Sequence, residues 1–523
     1  MKLSNYIVLG AIALASPAFV ACVDDLNVDP ENPTTKTEIT TPEELYSELA
    51  GVYGGLVFEG GIDVEDGGAG VYSRQYWNLQ ELATDETLIG SNWDDGGISE
   101  LVFSTWSADN HWLFECFSRF NYQIAISNQF LRDLNAHGNL LPAEGDLSAK
   151  TLAAEARTIR ALSYYHMIDI FGKGPWSTEN DVVGNTPPTY SREELFDAVV
   201  ADLADAVPSL VPAARQVYGR VSREAGYMLL AKLYLNSEVY TGKARWQECA
   251  DACNKIRETI DDLAETYKYL FCATNDKYVG NGEILWAIPQ DGTTLTTYGG
   301  TTYISGGSYR GDSKLLADLG VAVSGWAGPR VRQELSQALA SNDKRRLIYE
   351  GEYTEDIQNL GDQKQGYMCI KFVYTPENDY LNENNGYDKD GNKIPYCNTV
   401  YNPTDYPLFR LADTYLMLAE CELNGAQNCN GLEMMNRVRK RAGLTNVGSL
   451  TKENILKERM CELYWEGHRR SDLIRFGKFA GSDYNWSWKG GNAAGANVSA
   501  HLNLYCIPKQ FVSTLGQNPG YSN

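Results

Sequence analysis

The chain has 523 residues, 43% of them hydrophobic, and carries 45 Lys plus Arg against 68 Asp plus Glu, a formal net charge of −23. That is enough chain for a large packed core, and it is too acidic to follow a phosphate backbone, so disorder, a fibre and nucleic-acid binding are excluded. Tyr (33) and Trp (11) stand beside only 15 Phe; rings with a polar handle suit half-wet contact surfaces, because a buried hydroxyl or indole N–H must still find a partner.

Met1 and Lys2 precede an almost uncharged run from Ile7 to Ala21 that stops at Cys22. The run falls short of the ~20 residues that cross a bilayer and ends in small residues, so residues 1–21 read as a secretory signal peptide. A Cys at the cut makes Cys22 the candidate lipidation site, with acyl chains tethering the mature chain 22–523 to a membrane. No other segment is long and apolar enough to span one. The Cys residues after Cys22 form no CxxC pair. They read mostly as small buried hydrophobes, with one or two disulfides as the alternative.

Helical signals then dominate and come in pairs. Thr41, Pro42 and Glu44 make a capping box with Pro at the first helical position, followed by Leu45, Leu49, Val52 and Leu56 at helical spacing. The pattern continues over about 111–134 and 149–171, where Gly172 and Pro175 stop it. A second capping box, Ser191 to Glu194, opens another helix, and Ser222 to Asn236 with Trp246 to Leu263 forms a tetratricopeptide-like helix pair. From about 270 to 400 the texture turns to Gly, Thr, Tyr, Asn and Asp, which predicts ordered binding loops and short strands. Helices resume over 408–424, 431–442 and 452–475. The fold class is therefore mainly α, a single domain over 22–523 with a helical scaffold at about 40–265 and 405–478 and a loop-rich insert between.

No GxSxG elbow, Walker loop or HExxH helix is present, and the five His are scattered. A nucleophile-and-base enzyme has no visible foothold, although a glycosidase's carboxylate pair need not be close in sequence. Asp388, Asp390 and Gly391 imitate the middle of an EF-hand loop, but Cys397 stands where the closing Glu belongs, so the segment reads as a turn.

Three stretches carry a family resemblance: Glu155 to Trp176 (EARTIRALSYYHMIDIFGKGPW), Pro407 to Glu420 (PLFRLADTYLMLAE), and Glu458 to Gly477 (ERMCELYWEGHRRSDLIRFG) with the RAGL of Arg441 to Leu444 just before it. With these motifs the chain resembles the SusD/RagB family of surface glycan-binding lipoproteins over essentially its whole mature length. NSEVYTG (236–242), YGGTTY (298–303) and WKGG (488–491) are similar to the family's founding, starch-binding member. Val23, Asp24 and Asp25 likewise resemble the acidic export signal of surface lipoproteins. Arg410, Arg470 and Arg475 lie among apolar residues on the motif helices. They read as architecture, paired with Glu420, Glu466 or Asp472, and Tyr464 and Trp465 read as core on the same helix.

The resemblance implies a non-catalytic protein, lipid-anchored and exposed at the cell outer membrane, that binds starch-like α-glucan and hands it to a SusC-like TonB-dependent transporter. Another glycan (a β-glucan or host glycan), a glycoside hydrolase and a peptide-binding subunit are the alternatives. The same resemblance places sugar contacts at Asp66, Arg74, Trp93, Asp95, Tyr298 and Trp326. Trp and Tyr supply faces for pyranose rings, and Arg and Asp supply paired hydrogen bonds to hydroxyls. Ile89 or Gly90 stands where a second Trp is expected. No cofactor is required; the resemblance allows a structural calcium on Asp276 and Asp405, although Pro403 replaces an acidic ligand.

Overall fold

Thr41 caps the helix Pro42–Val57 by the anticipated reciprocal box, with its backbone N–H donating to Glu44 Oε2 at 3.0 Å. The computed structural model describes residues 38–62, 67–91, 93, 95–311, 313–321, 325–385, 387, 390–392 and 400–522. The signal peptide, Cys22, Asp66, Asp388 and Cys397 lie outside these residues. The chain divides into two units, Met1–Thr40 and Thr41–Asn523, and the second holds every element below. No described helix is long and apolar enough to cross a membrane.

The scaffold is mainly helical. His111–His137 packs on Pro42–Val57 and on Ala149–Ile170, which in turn packs on Arg192–Ala206. Arg223–Leu235 pairs with Trp246–Arg257, and Leu411–Leu423 lies against Trp246–Arg257, Gly431–Arg441 and Lys452–Leu463. Small residues such as Ala231 and Ala250, both fully buried, allow the close approach. The nine described cysteines are buried and unbridged, as small hydrophobes.

Several elements differ from expectation. The helix after 246 ends at Arg257, with a short helix Ser237–Thr241 inserted before it. Residues 408–410, expected to open a helix, end the strand Tyr406–Arg410, which pairs antiparallel with Ile284–Ile288. The expected helix over 452–475 breaks into Lys452–Leu463 and Arg469–Arg475, because Trp465 and Gly467 adopt φ of +63° and +77°. Tyr464 and Trp465 are thus core residues of a linker. The described part of 270–400 holds the short strands that were expected, and also short helices that were not, Gly300–Gly306, Ser313–Asp318 and Gln333–Ala338.

Buried ion pairs fasten the late helices to the rest of the scaffold. Lys232 donates to Asp413 at 2.8 Å, which joins the early helices to the late ones. Arg410 donates to Glu466 at 2.6 and 2.7 Å, to Glu462 at 2.9 Å and to Glu283 at 2.8 Å. Arg459 joins Asp413 to Asp472, each at 2.7 Å. Arg475 holds Glu420 and Asp472. These motif charges are architecture, as expected. Arg470 departs from that pattern: it donates to the Leu502 carbonyl and its guanidinium stacks 4.3 Å from the Tyr505 ring.

Candidate functional site

Two small sheets and one short helix carry four loops to the same place. Thr87–Ile89 pairs antiparallel with Pro329–Val331, which sets the loop bearing Trp93 beside the loop bearing Trp326. Ile284–Ile288 pairs antiparallel with Tyr406–Arg410, so the chain running on to Tyr298 meets the chain running in from Tyr401. The helix Gly300–Gly306 is the common anchor. Carbonyls at its C-terminal end accept from the loop, Gly306 from Trp326 N–H at 3.0 Å and Gly307 from Gly328 N–H at 2.7 Å. Asn402 donates from its side chain to Ser305 Oγ at 2.7 Å, and Thr301 donates to the Thr404 carbonyl at 2.7 Å. Glu59 ties down the remaining edge by accepting from Gly68 N–H at 2.6 Å.

The result is a run of ring contacts. Tyr401 and Tyr298 have centroids 5.0 Å apart, Tyr298 and Trp326 5.8 Å, and Trp326 and Trp93 6.1 Å, with interplanar angles of 50°, 62° and 90°. Trp93 continues edge-on to Tyr303 at 5.9 Å, and Tyr303 to Trp77 at 5.6 Å. The outer four rings are partly exposed, Tyr298 most at 41%, whereas Tyr303 and Trp77 are fully buried. A buried aromatic floor thus supports an inclined outer wall. A side-chain hydrogen bond with Tyr298 raises the Tyr401 hydroxyl above its ordinary range.

Of the residues singled out in the sequence, Trp93, Tyr298 and Trp326 come together in this wall. Arg74 lies beneath it at 2% exposure, with its guanidinium 4.2 Å from the Tyr303 ring and 5.1 Å from Trp112, donating to the Gly67 carbonyl at 3.4 Å. It therefore braces the floor and the glycine loop from below. Asp95 begins the short turn Asp95–Gly97 that follows Trp93. Sequence reading misses three participants. No motif marks Tyr401, which reaches the wall only through the pairing of Tyr406–Arg410 with Ile284–Ile288. Tyr303 closes the YGGTTY motif, five residues on from Tyr298, and its burial under Trp93 is invisible in the motif itself. Glu59 gives no local signal. The WKGG motif packs elsewhere: Trp488 donates to the Ile357 carbonyl at 2.7 Å and its ring meets Phe103.

Of the two residues expected to hold calcium, Asp405 is tied into the surrounding loops by hydrogen bonds. Both Asp405 oxygens already accept hydrogen bonds, from Gln290 N–H at 2.8 Å and from the Tyr218 hydroxyl at 2.6 Å. Burial chiefly, with Asp276 and Asp291 nearby, pushes its carboxyl up to about 7. Asp276 is exposed, and among the described residues no group of three or more His, Cys, Asp or Glu is arranged to hold a metal.

A model of the SusD family matches residues 282–521, and a second, described as starch-binding associating with outer membrane, matches residues 59–235. The starch-binding protein SusD of Bacteroides thetaiotaomicron is 30% identical over 98% of this chain and 97% of its own. The chain belongs to the SusD family. A SusD-like protein of Bacteroides ovatus is 25% identical over 92% of this chain and 85% of its own. Among solved structures, surface glycan-binding protein A from Bacteroides thetaiotaomicron in complex with laminarihexaose superposes with a TM-score of 0.68 at 19% identity, covering 92% of this chain and 100% of that one. A laminarin binding SusD-like protein gives 0.68 at 22% identity over the same shares. At these identities the superpositions establish the shared SusD fold. The two matched stretches contribute different parts of the wall in this family member: Trp93 comes from the stretch 59–235, and Tyr298, Trp326 and Tyr401 from the stretch 282–521.

Proposed function

We propose that this SusD-family protein is a non-catalytic binder of starch-type α-glucan, and that the wall of Tyr401, Tyr298, Trp326 and Trp93 is its binding surface. The observation that carries the reading is the stepwise tilt of these rings. A flat ribbon of sugar could lie on one plane of rings, whereas successive inclined faces follow a chain that curves, as an α-1,4-glucan does. Each pyranose offers an apolar C–H face to a ring and keeps its hydroxyls at the wet rim, so affinity comes from several modest contacts acting together. The 30% identity to the starch-binding relative over nearly the whole chain supports the same ligand class. Arg74 contributes through the floor, and Asp66 and Asp95 are the carboxylates assigned to the sugar hydroxyls.

The cellular role follows from the same relationship: the protein sits at the outer membrane, anchored through a lipid on Cys22, and delivers oligosaccharide to a SusC-like TonB-dependent transporter. The family description naming outer-membrane association supports this placement. Affinity electrophoresis in gels containing amylopectin, pullulan or laminarin tests the ligand. Retardation in the first two and free migration in laminarin is the expected result; retardation in laminarin alone assigns a β-glucan instead, and release of reducing sugar from amylopectin would make the protein a hydrolase.

A further inference from the structure

A groove on the helical scaffold shares no residue with the aromatic wall. One cavity of about 380 Å³ is walled by Trp246, Glu238, Asn424 and Phe476. A second, also about 380 Å³, adjoins it through Phe476 and Lys452, which line both, and runs on to Tyr484. Each lies within the range of ~300–1,000 Å³ usual for small-molecule sites, and together they make an elongated path.

The floor is rigid and electrically settled. Arg475 donates to both oxygens of Glu420 at 2.6 and 2.9 Å, to Asp472 at 2.8 Å and to Asn236 Oδ1 at 3.0 Å. Its charge is neutralised by these partners, so it does not call for an anionic ligand. Above the floor, Trp246, Phe476 and Tyr484 are partly exposed along the path. At the rim, Lys452, Lys457 and Lys478 stand with Glu238, Glu334, Glu453 and Asp483. On a chain of net charge −23 this rim, three Lys against four carboxylates, is close to balanced. Neither an anion nor a cation gains from it, and its three separated rings with interspersed carboxylate, amide and ammonium groups match the alternating apolar faces and hydroxyls of a neutral saccharide.

We propose that this groove is a second saccharide site, which takes a run of the same neutral glycan chain that the wall holds; the choice of glucan as its ligand rests on the function proposed above. A polymer long enough to touch both sites gains avidity, and a short oligosaccharide does not. The test is retardation of the full chain in amylopectin gels and calorimetry with maltoheptaose, for Trp246→Ala, for Lys452→Ala and for Trp93→Ala with Tyr298→Ala, alone and combined with Trp246→Ala. Circular dichroism confirms that each variant is folded. The expected result is that Trp246→Ala and Lys452→Ala weaken amylopectin binding by about two- to tenfold, leave the wall's maltoheptaose affinity unchanged, and that Trp246→Ala removes the residual retardation of the wall variant. Unchanged amylopectin retardation on Trp246→Ala in both backgrounds overturns the groove and leaves the wall intact. Loss of all retardation with Trp246→Ala but none with the wall variant overturns the wall and leaves the groove as the glycan site.

Discussion

Gly328 has no side chain because the Trp93 ring occupies the space. A Cβ there would fall on Cε3 and Cζ3 of that ring, with no left-handed backbone involved. Gly328→Ala is therefore expected to displace Trp93 and lower maltoheptaose affinity about tenfold or more by calorimetry, with the scaffold's melting temperature nearly unchanged, since the displaced ring is at the surface. A different residue-scale effect sits under the wall. Glu81 and Glu86 are fully buried, and burial chiefly, followed for Glu81 by its neighbour Glu86, raises the Glu81 carboxyl well above its ordinary 4.5. Glu86 is raised to about 7, again chiefly by burial, against the lowering pull of Arg469. Between about pH 4.5 and 7 the folded chain holds protons that the unfolded chain has released, so these groups make stability fall as pH rises through that window. Glu81 Oε1 accepts from Gly467 N–H at 2.6 Å and His468 N–H at 3.3 Å, which leaves the other side of the group for Glu86. Glu81→Gln keeps the acceptor and supplies a permanent donor to Glu86. Its melting temperature against pH should be flatter and, at about pH 8, higher than the parent's; an unchanged slope would contradict the shared proton.

At the scale of elements, the break between Lys452–Leu463 and Arg469–Arg475 shows where local pattern yields to tertiary packing. Periodicity over 452–475 is helical throughout, but Gly467 at φ +77° lets the chain pass against Tyr76, whose ring would meet a Cβ at 2.7 Å. Gly467→Ala should lower unfolding free energy by about 1–3 kcal/mol or more, read by urea denaturation, from the left-handed backbone alone before the clash is added. The long helices are legible because their caps and apolar stripes are local: Thr41 with Glu44, and Ser191 with Glu194, both form as read. The helix Tyr72–Glu81 is not, because six of its ten residues are polar and yet all ten are buried, so polarity there does not mark a solvent face. The same logic divides the candidate site. Trp93 and Tyr298 are recognisable because each sits in or beside a short motif, and Trp326 as a ring in the loop-rich stretch that follows YGGTTY. Tyr401 is not, because nothing in the chain near it reports the pairing of Tyr406–Arg410 with Ile284–Ile288 that carries it to Tyr298.

Across the whole molecule, the excess of Tyr and Trp separates into two populations. Trp77, Trp286, Trp465 and Trp486 are fully buried and belong to packing, whereas the outer wall keeps its rings at the surface on loops that the helical scaffold and its buried ion pairs hold in place. The wall depends on uncharged faces even though the chain as a whole is acidic, so binding of a neutral glucan there should change little with added salt in calorimetric titrations. Isothermal titration calorimetry with maltoheptaose decides whether these rings jointly hold an α-glucan, comparing the parent chain with Trp93→Ala plus Tyr298→Ala after circular dichroism has shown both to be folded. Saturable binding by the parent and none detectable by the double variant is the predicted result; equal affinities for the two, or no binding by the parent, would contradict it.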